Sequence, residues 1–171
     1  VVVLTILILS SSFIVNAAPQ SSSGRGKGVC QLLDSEGNLV GSISFNFRVS
    51  DKTHPKRGPL YGSIIFEMDT DNDGVIDTII SLTEIFAIDF GYRLVQDWNY
   101  GPQCVFNGTA EITTINSEAI DYKEITVKLH DKESQDDFDR IDLEMDSETY
   151  NIGDIISGNI SIKLPRFNPN R

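Results

Sequence analysis

Residues 69–77 read Asp-Thr-Asp-Asn-Asp-Gly-Val-Ile-Asp and carry the strongest chemical signal in the chain. Carboxylates fall at positions 1, 3, 5 and 9 of this loop, with Gly74 at position 6 and Val75 at position 7. Alternate residues of a tight loop turn toward one point, so Asp69, Asp71, Asp73 and Asp77 would present their oxygens inward. Val75 would add its backbone carbonyl, and the glycine would make the sharp turn. Four carboxylates at close range repel one another unless a cation lies among them. Ca2+ takes six to eight oxygens at about 2.3–2.6 Å, so it is the expected cofactor. Mg2+ fits less well, because it takes one or two carboxylates and keeps several waters. Position 12 is Ile80 in place of a bidentate glutamate, which leaves water, Glu67 or Glu84 to supply the last oxygens. The plain alternative is a solvated hairpin tip, since Asp, Asn and Gly favour turns without any ion.

Other residues offer less. Asp131–Asp139 is a second acidic run, but its spacing matches no compact ion loop. It reads as a solvated connection between strands, with a weaker cation site through Asp131 and Asp137 as the sharper alternative. His54 and His130 are the only histidines. His54 sits in a basic turn and His130 ends a strand on its expected polar face. No nucleophile-elbow motif accompanies them, so a Ser-His-Asp triad is not indicated. A hydrolase built on two carboxylates stays open, because it needs only a pair at a set separation. Residues 90–101 hold the only tryptophan, and Tyr92, Trp98 and Tyr100 with their polar neighbours could form a sugar platform. The plainer reading makes these aromatics a cap on one end of the core.

The elements that must position these groups are strands. Ser42–Val49 alternates Ile43, Phe45, Phe47 and Val49 with polar residues, the period of a half-buried strand. Ile125–Leu129, Ile141–Met145 and Ile160–Leu164 alternate in the same way. Lys27–Leu33, Tyr61–Met68, Val75–Leu82, Glu84–Phe90 and Cys104–Ile115 are further candidates. Leu82–Phe90 is the best place for a short helical turn. About nine short strands with turns at close intervals predict an all-β, antiparallel sandwich or barrel. Cys30 and Cys104 form an even pair, which in an exported chain predicts one disulfide.

Val1–Val15 is an uncharged apolar run, shorter than the about 20 residues of a membrane span. With cleavage after Ala17 it reads as a signal peptide that lacks its initiator Met and basic start, covering 1–17. Residues 18–28 are rich in Ser and Gly and read as a flexible linker, with too few charges for a basic patch. The domain is expected over 29–165 and a tail over 166–171. Both addresses considered, a cleaved signal or an uncleaved anchor, place the domain outside the cytoplasm, extracellular or at the cell surface. Asn107-Gly108-Thr109 and Asn159-Ile160-Ser161 match the glycosylation sequon. The chain has 25 acidic against 14 basic residues and a net charge of −11. That balance argues against a nucleic-acid partner and suits a divalent cation.

The acidic loop resembles the DxDxDG calcium loops that join two strands in integrin-type propellers, and those of thrombospondin type 3 and dockerin modules. The wider pattern includes Phe45-Asn46-Phe47, Phe106–Ile112, Ile125–Asp131, Asp137–Ile141 and Gly158–Ile162. It is similar to an accessory β-sandwich module of secreted and cell-surface proteins of bacteria and archaea. That resemblance implies a stable, non-catalytic extracellular domain. The expected function is therefore a calcium-binding surface or adhesion module and not an enzyme. Carbohydrate or another surface protein is the expected partner besides calcium, and a carbohydrate-binding module or a small hydrolase are the alternatives.

Overall fold

The computed structural model describes residues 21–51, 60–95, 101–117, 119–132, 139–145 and 148–164. Among the described residues, eight strands run in chain order. They are β1 (Ser23–Leu33), β2 (Leu39–Ser50), β3 (Tyr61–Asp69), β4 (Thr78–Tyr92), β5 (Pro102–Thr114), β6 (Ala119–His130), β7 (Arg140–Met145) and β8 (Glu148–Lys163). Each pairs antiparallel with the next, and β8 returns to pair with β1, so the sheet closes into one up-and-down barrel. The all-β, antiparallel expectation holds as a barrel, with eight strands in place of about nine.

Inward positions follow the period of two. Ile43, Phe45, Phe47 and Val49 of β2, Ile64, Phe66 and Met68 of β3, and Ile125, Val127 and Leu129 of β6 are all buried. Charged and hydroxyl side chains such as Arg48, Ser63 and Lys128 take the outward positions. The lumen is apolar, whereas the interior of a porin-type barrel is polar; outside, Ile65, Phe86, Ile120 and Ile156 stand exposed among the polar side chains.

β4 explains the missing ninth strand. Its core-facing residues are Ile80, Leu82, Ile85, Ile88 and Phe90, with two gaps of three residues that imitate a helical period. Bulges lie at those gaps, between Leu82 and Glu84 and between Ile85 and Ala87. Each inserts one extra residue, so the same face stays inward. Ile80 faces Ile112, Leu82 faces Ala110, Ile85 faces Gly108, Ile88 faces Phe106 and Phe90 faces Cys104. The expected break near Thr83 and the helical turn over Leu82–Phe90 are therefore one continuous bulged strand.

β1 corrects the linker. Ser23–Gly28, expected as part of a tether, is paired on both sides, with β2 and with β8. Gly24, Gly26 and Gly28 lie opposite Val49, Phe47 and Phe45. A Cβ on Gly26 would stand 2.6 Å from the Phe47 ring, and one on Gly28 would stand 2.9 Å from the Phe45 ring. The rings, stacked with centroids 6.1 Å apart, fill the space that the glycines leave.

No disulfide joins Cys30 and Cys104, and both are buried thiols. Cys30 lies on β1 and Cys104 on β5, on opposite sides of a ring of eight strands. Facing β-layers pack about 10 Å apart, whereas a disulfide needs Cα atoms within about 7 Å. Burial, with a smaller contribution from the Asp89 carboxylate, pushes the Cys104 thiol far above its ordinary pKa.

The alternation of strand directions sorts the loops. The 34–38 turn, the 70–77 loop and the 3-10 turn Ile115–Ser117 lie at one end of the barrel. The strand ends Ser50, Tyr61, Tyr92, Pro102, His130 and Arg140 lie at the other, beside Ser23 and Lys163.

Candidate metal centre

The 70–77 loop is built by its own carboxylates. The Asp77 amide donates to the Met68 carbonyl at 2.8 Å and closes the hairpin. Asn72 (φ 61°) and Gly74 (φ 85°) take left-handed conformations, which Asn and Gly tolerate best. The Gly74 amide donates to Asp69 Oδ2 at 2.9 Å, the Asp73 amide to Asp71 Oδ1 at 3.2 Å, and the Val75 amide to Asp73 Oδ1 at 2.7 Å. The Thr70 amide and hydroxyl both donate to Asp77 Oδ2 at 2.8 Å. These two donors, the amide first, hold the Asp77 carboxyl below its ordinary range. The Asp77 carbonyl accepts from the Ile115 amide at 2.8 Å, which ties the loop to the neighbouring 3-10 turn.

The loop brings three of the expected ligands together. One carboxylate oxygen from each of Asp69, Asp71 and Asp77 lies within 4.8 Å of the others. Asp69 is 5% exposed, and its Oδ1 is buried with no hydrogen-bond donor. A buried carboxylate oxygen without a donor is costly, and the same residue stands in a cluster with two further carboxylates. Asp73 stands outside the trio, and the Val75 side chain is exposed. Of the supplementary donors, Glu67 points outward and accepts from Ser44 Oγ at 2.9 Å. Glu84 is exposed beside a β4 bulge, and neither joins the trio.

The second acidic run has a structural task that its sequence did not reveal. β7 pairs with β8 only over Leu143–Met145 and Glu148–Tyr150. Farther along β8, Asp139 Oδ2 accepts from the Ile160 amide at 2.5 Å and Asp131 Oδ2 from the Ile162 amide at 2.7 Å. Asp139 Oδ1 also accepts from the Lys132 amide at 3.0 Å. The two carboxylates stand in for the missing strand at the seam. Asp137 lies outside the described residues.

His130, expected on a polar face, is instead fully buried. The reason is Gly101, where a Cβ would stand 2.5 Å from the imidazole Nε2, so only a glycine lets that segment close over the ring. Gln103, its cross-strand partner, is also fully buried and accepts from the Val95 amide at 2.8 Å. Tyr92 is exposed at the end of β4, at the barrel end opposite the 70–77 loop. Trp98, Tyr100 and His54 lie outside the described residues, as does 1–17. Asn107 and Asn159 both face outward, as the two sequons would require. No protein-family model matches the chain, and neither does any curated protein or any solved structure.

Proposed function

We propose that the chain is an extracellular, non-catalytic β-barrel module in which Ca2+ orders the 70–77 loop. The reading rests on Asp69, which shares a three-carboxylate cluster with Asp71 and Asp77 and whose Oδ1 is buried with no donor. Those three carboxylates hold the ion, and Asp73 and the Val75 carbonyl are the next donors along the loop. Water completes the shell, as a loop without an acid at position 12 requires. The apolar leader at 1–17 supports export, and the DxDxDG resemblance supports a surface or adhesion role.

The test is thermal unfolding in Ca2+ and in EDTA. Saturation at 100 times Kd should add about 2.7 kcal/mol of stability. Asp69→Asn should remove that gain. In EDTA the same variant should be more stable than wild type by ~1 kcal/mol, because one of three repelling charges is gone. A melting temperature that ignores Ca2+ up to millimolar concentrations, roughly the weakest range for extracellular modules, would sink the reading.

A further inference from the structure

The chain carries a net charge of −11, yet the outer wall of β1, β2 and β8 holds Arg25, Lys27, Arg48 and Lys163, all exposed. Sequence order hides this group, since the four come from three strands. Register assembles it. Arg25 is the direct partner of Arg48, Lys27 the partner of Asn46, and Ser23 the partner of Lys163. All four cations therefore share one face within three successive rungs. Same-face rungs lie about 7 Å apart and strands about 4.8 Å apart.

Like charges placed directly across a strand pair destabilise the sheet. Among the described residues, no carboxylate is paired with any of the four. Two shallow grooves meet on the Arg25–Arg48 rung, and among the described residues no acidic side chain lines either. The nearest acid in sequence, Asp51, lies past the end of β2, where its amide is bonded to the Ser22 carbonyl. The groups between the cations are hydroxyls and amides, among them Ser23, Asn46, Asn159 and Ser161. Tyr61 stands at one margin.

We propose that this wall binds an anionic saccharide, with the Arg25 and Arg48 guanidinium groups gripping a sulfate or carboxylate substituent. Arg presents a planar fork that matches such oxyanions bidentately. The hydroxyl and amide groups between the cations suit sugar hydroxyls. No aromatic lies between the cations to stack a base, and the acidic remainder of the surface repels a long phosphate backbone. The site is independent of the calcium loop, which lies at the far end of the barrel.

The experiment uses the full chain in Ca2+ and titrates it with a heparin-type sulfated oligosaccharide, a polyuronate, single-stranded oligothymidylate and inorganic phosphate. The sulfated oligosaccharide, the polyuronate or both should bind, with affinity falling as salt rises. Arg25→Ser with Arg48→Ser should weaken binding at least about tenfold, while the melting temperature holds or rises because the like-charge rung is relieved. Lys128→Ser, on a distant wall, should bind as wild type. Absence of saccharide binding, or binding that survives the double substitution, overturns the site. Oligothymidylate or phosphate binding as tight as the saccharides overturns the ligand class. Calcium binding should be unchanged in the double variant, so failure here and failure of the calcium reading are read separately.

Discussion

Thr70 shows how one residue shapes the loop's acid response. Its amide and hydroxyl stabilise the charged form of Asp77, whose folded pKa lies below its ordinary 3.8. A depressed folded pKa means the contribution is fully present above about pH 4 and fades as pH falls through the folded value. Thr70→Val keeps the amide and removes the hydroxyl. In EDTA, Asp77 should then titrate at a higher pH by carboxyl NMR, and an unmoved titration would contradict the hydroxyl's role. Cys30 and Cys104 make a second residue-level prediction. Native protein without reductant should react with no thiol reagent, since burial raises the Cys104 pKa and hides both sulfurs. Denatured protein should yield two reactive thiols, and a yield of none would restore the disulfide. The clustering of Asp69, Asp71 and Asp77 was legible at this scale because the three come from one contiguous stretch. His130 was not legible, because its burial depends on Gly101, distant in sequence and lacking a side chain.

Glycine reads differently in each element. Gly37 has φ 85° with nothing within 4 Å of its Cβ position, so its constraint is conformational. Gly26 is hemmed by the Phe47 ring at 2.6 Å and the Asn159 carbonyl at 2.9 Å, so its constraint is steric. Asn tolerates the left-handed region, so Gly37→Asn should cost under about 1 kcal/mol. Gly26→Ala should cost about 1–3 kcal/mol through overpacking, measured by denaturant unfolding. Equal costs would mean that β1 is not packed as described. The Ser/Gly composition of 18–28 suggests a linker only while β1 is read alone. The Phe45 and Phe47 rings that cover it belong to β2, and composition cannot show that. β2, β7 and the Ile125–Leu129 stretch of β6 were legible because each alternates. β4 was not, because its two bulges turn a period of two into gaps of three.

At the scale of the whole molecule, the barrel is closed by carboxylates as well as by strands. Asp131 and Asp139 accept the β8 amides on the stretch of β8 that the β7 pairing does not reach. The basic wall also exists only at this scale, because Arg25, Arg48 and Lys163 meet through closure of the sheet. Net charge describes a chain, whereas a ligand meets one wall of it. The same β1–β8 closure has a mechanical consequence. Ser23 at the start of β1 faces Lys163 at the end of β8, so these two strand ends lie side by side at one rim. A force that draws those ends apart loads the terminal rung first and opens the seam rung by rung. It cannot shear all the rungs together. Single-molecule pulling from the two ends should give a low rupture force, and pulling between the 34–38 turn and the 163 end a higher one. A barrel of this kind held in tension by the start of β1 and the end of β8 would yield early, with its far end, where the acidic loop sits, the last to feel the load.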